Sequence, residues 1–488
     1  MQFSNLFQYF GSWTDRMMGQ GGADGVKRYS RKTRNQLFQI RVSGYMKYGL
    51  WILTCLLIIG GLQAALTRRE GGILGRMKNR GDMQKQDEAV RKAEEGNLDS
   101  KPDIVIDNPD IRVLIMTNGY ANEVHPAVEA VAAGGLIISF GEENQEVEGG
   151  QPAVFAPDDQ RFQSGQIRIR AKDGGEVTLS SVKRACGAPS YAGILELWTT
   201  AEGIAVVNEL PVESYLCKVI PSEMPASYEL EALKAQAVCA RSFAYQQIQD
   251  YGYPEYEAHV NDSTDYQVYG NSQAQDGTNR AVEETKGQVV RYQDRIVTTY
   301  YYSTSCGRTA GLEAWGTKED ESNQYLRSVE VKDGEGDYES EMPWYRWEAR
   351  IPAGTLSNLI GLNTGTDIGT VQSLEITNTG AGGVALQICA AGDKGSVTVD
   401  TENKIRRALG GGGYEITRQD GTKVSAQKLL PSAFFTVQKD GDLFVLSGGG
   451  YGHGIGMSQN GANEMAKKGK NYIEILSLFF QDVTIEAG

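Results

Sequence analysis

Residues 48–66 read YGLWILTCLLIIGGLQAAL, nineteen positions without a charge, a stretch that a water-soluble fold would have to bury whole. A helix rises 1.5 Å per residue, so a run of this length crosses the roughly 30 Å hydrocarbon core of a bilayer. Residues 47–66 are therefore expected to form one transmembrane helix, with Tyr45, Tyr48 and Trp51 as an interfacial belt at one end. The rival reading is a cleaved signal peptide, since the small pair Ala64-Ala65 follows the apolar core. More than forty residues precede that core, far beyond the usual leader, which favours an uncleaved anchor. Charge leaves the orientation open: six Lys or Arg lie between Lys27 and Arg41, and six between Arg68 and Lys85.

Around this segment the chain divides by composition. Residues 1–46 are too short and polar for a core of their own, and 67–105 read as a charged spacer. Residues 106–200 are rich in β-like runs, and 201–488 carry the motifs described below. A chain of 488 residues with 40% apolar and 23% charged residues has the composition of a globular protein of two or three domains. The net charge of −14 argues against a nucleic-acid partner, which selects a basic face. The 59 glycines show no three-residue period, which excludes collagen and implies many tight turns. Six cysteines are present, none in a C-x-x-C pair. Cys55 lies in the apolar run; for the other five, small buried thiols are favoured over disulfides plus one free thiol.

The segments IRVLIMT (111–117), GLIISFG (135–141), QIRIRA (166–171) and GIAVVNEL (203–210) read as strands without intervening helices, so a doubly wound parallel sheet is not expected. The clearest helix is LEALKAQAVCARSFAYQQI (230–248), with one apolar stripe through Leu230, Leu233, Ala237, Ala244 and Ile248. Arg241 falls on that stripe. A guanidinium facing a core needs an acceptor, so it is either half of a structural ion pair or a cation lining a ligand pocket. Further strands are expected over 287–292 and 295–311. Fold class is expected to be α+β: a largely β core, the 230–248 helix packed on it as an amphipathic element, and Gly-rich loops around a groove.

Just before that helix stands Pro221-Ser222-Glu223-Met224-Pro225. Each proline fixes its own φ and biases the preceding residue away from helix, so Glu223 is expected on a rigid, non-helical elbow beside Met224. A carboxyl in apolar surroundings has its ionised form disfavoured, which suits a general acid at neutral pH. The bland alternative is a surface glutamate. In YYYSTS (300–305), alternation puts Tyr300 and Tyr302 on one face and Tyr301 on the other. These tyrosines serve either as core or as a sugar platform, with Ser303, Thr304 and Ser305 adding hydroxyls at a turn. No G-x-S-x-G surrounds any of these serines. Glycines alternate from Gly448 to Gly456 around His453, and Ser458 is placed to cap a following helix. His453 either bonds the loop's own backbone or touches substrate. No P-loop is present.

The ordered blocks LPVESYL (210–216), PSEMP (221–225), LEALKAQAVCARSFAY (230–245), DSTDYQVYG (262–270), AVEETKGQVV (281–290), YYYSTSCGRT (300–309) and GGGYGHGIGMSQNGA (448–462) resemble the stage II sporulation protein D family (SpoIID/LytB). The resemblance implies a membrane-anchored cell-wall protein, single-pass, with its C-terminal part outside the cytoplasm and residues 1–46 inside. It also implies a spore-forming, Gram-positive source, neither of which the residues themselves display. For the sporulation branch it implies lytic transglycosylase activity, which cuts glycan between N-acetylmuramic acid and N-acetylglucosamine and leaves a 1,6-anhydro end. Carried over position by position, the catalytic glutamate falls at Glu223 and the essential arginine at Arg241, with the conserved tyrosines best fitted by Tyr300 and Tyr302. Gln236, Ser305, His453 and Gln459 are further candidates for holding sugar. The partners implied are glycan strands, expected to be stripped of stem peptides, and an amidase that strips them. The alternative is a non-catalytic wall-binding amidase enhancer. Some members bind zinc in the block before QVY. Here Asn261, Asp265 and Tyr266 occupy those places, and Asn and Tyr are poor zinc ligands, so neither metal nor other cofactor is expected.

Overall fold

The computed structural model describes residues 108–334 and 336–487; the expected tail (1–46), transmembrane helix (47–66) and spacer (67–105) lie outside the described residues. Among the described residues no helix is long and apolar enough to cross a membrane. The architecture is mixed α+β. Seven α-helices occur among these residues: α1 (Val212–Glu223), α2 (Leu230–Gln247), α3 (Asp276–Glu284), α4 (Ala353–Thr364), α5 (Glu402–Leu409), α6 (Gln459–Lys467) and α7 (Tyr472–Phe479).

The first part of the chain is β, as its alternation requires. Ile167, Ile169 and Ala171 point inward while Arg168 and Arg170 do not. Across the antiparallel ladder Ile169 sits opposite Ile138 on one side and Leu195 on the other, so a single face is apolar from strand to strand. The sheet runs in the order Val260–Asn261, Asp110–Leu114, Ile204–Pro211, Ile194–Thr199, Ile167–Ala171, Leu136–Phe140, Glu143–Val147, with Val124–His125 added beside Ile204–Pro211. A four-stranded sheet containing Val128–Val131 and Val177–Leu179 contributes to the same core.

Pro211 ends the strand Ile204–Pro211 and stands at the N-cap of α1, so the strand feeds directly into the helix. α2 then passes through the middle of the molecule. α1, α3, α6, α7 and the strand Gln288–Tyr292 all pack on it. Its buried residues run almost unbroken from Ala232 to Tyr245, so it is a central helix rather than an amphipathic one. Alanines at 232, 235, 237, 240 and 244 let neighbours approach closely. Burying Leu233 and Val238 stabilises by about 1.5–3 kcal/mol each.

Of the strand expected over 295–311, only Arg295–Ile296 and Tyr301–Tyr302 form. Between them the chain is tied to other elements: Thr299 Oγ1 donates to the Cys239 carbonyl (2.7 Å) and Tyr325 Oη donates to the Thr298 carbonyl (2.8 Å). The chain then makes a long excursion. It builds a five-stranded sheet around Trp347–Pro352 and a three-stranded sheet around Ala385–Gly392, with α4 and α5 alongside. It returns at Met457–Ser458, which pairs in parallel with Tyr301–Tyr302, Tyr301 opposite Met457 and Tyr302 opposite Ser458. Parallel neighbours need a long crossover, and here the excursion provides it.

Candidate active site

Pro221 lies inside the last turn of α1, and Glu223 is its final residue. The expected non-helical elbow therefore begins one residue later. Met224 adopts φ −129°, ψ 135°, the extended conformation required of a residue before proline. Proline in a last turn costs only one helical hydrogen bond, which is why the helix runs through it. Glu223 is half-buried; its Oε1 accepts the Val268 N–H at 2.5 Å, and Oε2 has no protein partner among the described residues. Desolvation pushes the carboxyl up to about 7, opposed only by that backbone bond; no charged side chain contributes. With a donor already at Oε1, the acid proton belongs on Oε2, the oxygen left open.

Three elements meet around this carboxyl. Gln267 donates from Nε2 to the Tyr301 hydroxyl (3.0 Å) and accepts from the Tyr215 hydroxyl (3.2 Å). The charge of Glu223 disfavours ionisation of Tyr215, Tyr301 and Tyr120 alike. Gln459, the first residue of α6, donates from Nε2 to the Glu223 carbonyl (3.2 Å) and to Gln236 Oε1 (3.4 Å). Gln236 is fully buried on α2 and its Nε2 has no partner among the described residues. Glu223, Gln236 and Gln459 are thus brought together, and Tyr301 joins them.

Arg241 is not. Its guanidinium is fully buried and saturated: Nε and Nη2 grip the Glu213 carboxylate at 2.8 Å each. The carbonyls of Gln288 (3.0 Å) and Val282 (3.2 Å) and the Thr285 hydroxyl (3.5 Å) take the remaining N–H groups. Glu213 lies ten residues before Glu223 on α1, about 15 Å along the helix axis. Of the two readings of Arg241, the geometry gives the structural ion pair.

Tyr300 and Tyr302 do share a face, as alternation requires, but it is the face turned toward Trp315 and His453. Tyr300 meets Trp315 edge-on at 4.8 Å, while His453 lies 5.1 Å from Trp315 and 5.5 Å from Tyr302. Both His453 nitrogens are used by backbone: Nδ1 accepts the Ile455 N–H (3.1 Å), so Nε2 carries the proton and donates to the Tyr301 carbonyl (3.0 Å). Burial holds the ring neutral, pushing it down to about 3. The glycine run lets this loop fit. A Cβ at Gly456 (φ +76°) would lie 2.2 Å from the Tyr300 carbonyl oxygen.

Ser305 faces Glu339, a residue that carries no signal in the sequence. Glu339 is fully buried with no counter-charge among the described residues; it accepts the Ser305 N–H (2.9 Å), the Ser458 hydroxyl (2.6 Å) and the Ser305 hydroxyl. Burial pushes it up to about 7 against those bonds. It therefore clamps the Tyr301–Tyr302 strand to Ser458, whose hydroxyl also accepts the Gly461 N–H as the N-cap of α6. A second buried pair fixes the loop that supplies Val268 and Gln267. Arg184 donates to Asp262 Oδ2 (2.5 Å) and the Met116 carbonyl (2.6 Å), while the Met116 N–H reaches Asp262 Oδ1 (2.9 Å). Asp262 rises to about 6 through burial, even beside Arg184. At the places considered for zinc, Asn261 donates to the Tyr253 hydroxyl (2.8 Å) and accepts the Ser263 N–H (2.9 Å). Among the described residues no cluster of His, Cys, Asp or Glu is arranged to hold a metal ion, and the five described cysteines are all free.

Fold and site together define a mixed α+β protein with a desolvated carboxyl open at one oxygen, set where a helix end, a loop and a glycine-rich return strand converge. Residues 200–292 match the family model described as Stage II sporulation protein, and residues 313–456 match a domain of unknown function (DUF8618). The chain is 29% identical over 293 residues to the Stage II sporulation protein D of Bacillus subtilis, covering 57% of this chain and 75% of that protein. It is 32% identical over 292 residues to the Amidase enhancer of the same organism, covering 55% of this chain but 39% of the enhancer. A protein of Brachyspira hyodysenteriae is 29% identical over 300 residues, 60% of this chain and 72% of that one. Residues 200–292 thus carry the domain of the SpoIID family, and the similarity to its members extends over more than half of the chain.

Proposed function

We propose that this chain remodels the bacterial cell wall, in sporulation or a related process, as a lytic transglycosylase with Glu223 as its one catalytic residue. The observation that carries the reading is the Glu223 carboxyl itself, desolvated, free of any charged neighbour, and open at Oε2. Hydrolytic glycosidases need a second carboxyl about 5–5.5 Å or 6.5–9.5 Å away. Among the described residues the other buried acids are committed elsewhere: Asp262 to Arg184, Glu339 to Ser305 and Ser458, Glu196 to Arg112 and Glu402 to Arg406. A transglycosylase needs only one. Glu223 protonates the glycosidic oxygen as the bond from the muramyl C1 breaks. The same carboxylate then takes the proton of the muramyl 6-hydroxyl as that oxygen bonds to C1, so no water is consumed.

In this reading Tyr301 and Gln459 hold sugar hydroxyl and N-acetyl groups near Glu223, and the buried Gln236 orients Gln459. Arg241 acts through Glu213 to fix the helix that carries the acid. Tyr300, Tyr302, Ser305 and His453 support the return strand. Anchoring through residues 47–66, with the C-terminal part outside the cytoplasm and glycan strands and an amidase as partners, belongs to the same proposal. A second reading, a wall-binding amidase enhancer without chemistry of its own, is favoured by the 32% identity to the protein of that name.

The test incubates the purified full chain with peptide-free glycan strands and analyses products by mass spectrometry beside Glu223→Gln. Anhydro-muramyl ends from the wild type, reduced about 10²–10⁴-fold in the variant, are expected. Reducing ends would mean a hydrolase with a second acid. Binding without products from either protein would leave the enhancer reading.

A further inference from the structure

Residues 448–454 carry only two side chains, Tyr451 and His453, and the fold gives them opposite surroundings. His453 is turned in against Tyr302 and Trp315, whereas Tyr451 stands 38% exposed. Among the described residues Tyr251 is the only other exposed aromatic. Tyr451 is nevertheless firmly placed. Its N–H donates to the Thr304 carbonyl (2.8 Å) and its carbonyl accepts the Thr304 N–H (3.1 Å), both bonds of an antiparallel rung. A Cβ at Gly450 (φ +83°) would lie 2.9 Å from that Thr304 carbonyl oxygen, and one at Gly452 (φ +124°) 2.6 Å from the Tyr302 Cβ. Only glycine on both sides lets the backbone lie so close. The Tyr451 ring meets Trp344, from the excursion, at 4.8 Å between centroids and 42° between planes. Trp344 is fixed in turn: its carbonyl accepts the Gly450 N–H (2.8 Å), and the Arg418 guanidinium lies 5.4 Å from its ring centroid.

This pair stands one step along the strand from the support of the acid. Tyr302 pairs with Ser458 and Thr304 with Tyr451, so the two rungs are two residues, about 7 Å, apart. Gln459, next after Ser458, bonds the Glu223 carbonyl (3.2 Å). Uncharged polar groups fill the interval. The Asn460 amide donates to the Ser303 carbonyl (3.1 Å) and the Thr304 hydroxyl (2.9 Å), and the Tyr228 hydroxyl donates to Asn460 Oδ1 (2.5 Å). The row therefore runs from a carboxyl through amides and hydroxyls to exposed aromatic carbon. A pyranose ring has the matching character, with apolar C–H faces and a rim of hydroxyl and acetamido groups. Aromatic rings give such a face a large contact of fixed geometry. We propose that Tyr451 and Trp344 form a distal platform on which a sugar ring of the glycan strand stacks, a few sugars from the bond cut at Glu223. This deepens the wall-directed reading above and rests on it. The platform asks for no peptide and no charge on its ligand, so it suits a stripped strand. A strand long enough to reach both acid and platform gains the second contact without a second association, so long strands are preferred.

The test titrates the full chain carrying Glu223→Gln, which prevents cutting, with peptide-free glycan of two lengths, a disaccharide and an octasaccharide, by calorimetry. The octasaccharide is expected to bind about tenfold more tightly or better. Adding Tyr451→Ala should weaken the octasaccharide about three- to tenfold and leave the disaccharide unchanged, while Tyr451→Phe, which keeps the ring, should retain most of the affinity. Trp344→Leu should act as Tyr451→Ala does. Tyr451, being exposed, decides the matter where the half-buried Trp344 variant fails to fold. With Glu223 intact, Tyr451→Ala should raise KM for long strands by the same factor at unchanged kcat. Failure of the octasaccharide to bind, or unchanged octasaccharide affinity in Tyr451→Ala, would overturn the proposal. An equal loss for both lengths would overturn it too, since Tyr451 would then only support the acid's surroundings. So would intact glycan binding with lost binding of a purified amidase, which would assign the pair to a protein partner. Length-dependent binding that needs Tyr451, without cutting by the chain with Glu223 intact, rejects the enzyme and keeps the platform. Cutting with octasaccharide binding indifferent to Tyr451 does the reverse.

Discussion

The two ends of α1 carry the same residue type in opposite circumstances. At the N-terminal end Glu213 holds the fully buried Arg241 through two 2.8 Å bonds and also takes the Gly287 N–H. At the C-terminal end Glu223 has one backbone N–H and no charged neighbour. One carboxylate is committed to a guanidinium, and the other is held near the point where it gives or takes a proton. The difference teaches that burial alone does not suit a glutamate to acid catalysis; the proposed role also needs an unfilled oxygen and no counter-charge.

The comparison can be broken first where its energies are largest. Arg241→Ala or Glu213→Ala leaves a buried charge alone and should lower stability by about 3–5 kcal/mol in denaturant titration. The double change Arg241→Met with Glu213→Leu should recover most of that loss, together with glycan cutting. Failure of cutting in a stably folded double variant would mean that Arg241 touches substrate after all.

Glu339 sharpens the comparison from a third position. Burial raises its folded pKa to about 7 from the ordinary 4.5. The stability it contributes is therefore complete below about 4.5 and lost as pH rises through about 7. Glu339→Gln should flatten the fall of melting temperature across that window, by about 1–3 kcal/mol in unfolding free energy. An unchanged slope would show that the carboxyl titrates normally.

The smallest effects separate the tyrosines. Tyr301→Phe removes the hydroxyl that Gln267 bonds on the Glu223 side, and should cost about tenfold in kcat/KM. The Tyr302 hydroxyl is buried without a well-formed hydrogen bond, Ser305 being its polar neighbour. Tyr302→Phe should stay within about 1 kcal/mol in stability and leave cutting unchanged.

These cases also mark how far the sequence was legible. Period-two alternation placed Tyr300 and Tyr302 together correctly, but periodicity says which residues share a face, never which face meets a glutamate 77 positions earlier. The stripe through Arg241 located a buried cation. Its partner Glu213 lies on a different helix, and no local pattern joins the two. The helix at 230–247 was plain from its periodicity, whereas its central burial depends on four helices packing around it. Glu339 sits in an ordinary acidic stretch, and only the folded chain brings it against Ser305 and Ser458. Gln267 and Val268 lay within a motif block, yet Val268 acts through its backbone N–H, which leaves no trace in residue type.

The most direct measurement is a ¹³C NMR titration of the glutamate side-chain carboxyls in the full chain, with the Glu223 resonance assigned by its loss in Glu223→Gln. The account predicts a midpoint about 7, with glycan cutting falling as pH rises through the same value because the general acid loses its proton. A midpoint near the ordinary 4.5 would contradict it: the carboxyl would then be solvated and ionised at neutral pH, with no proton to give.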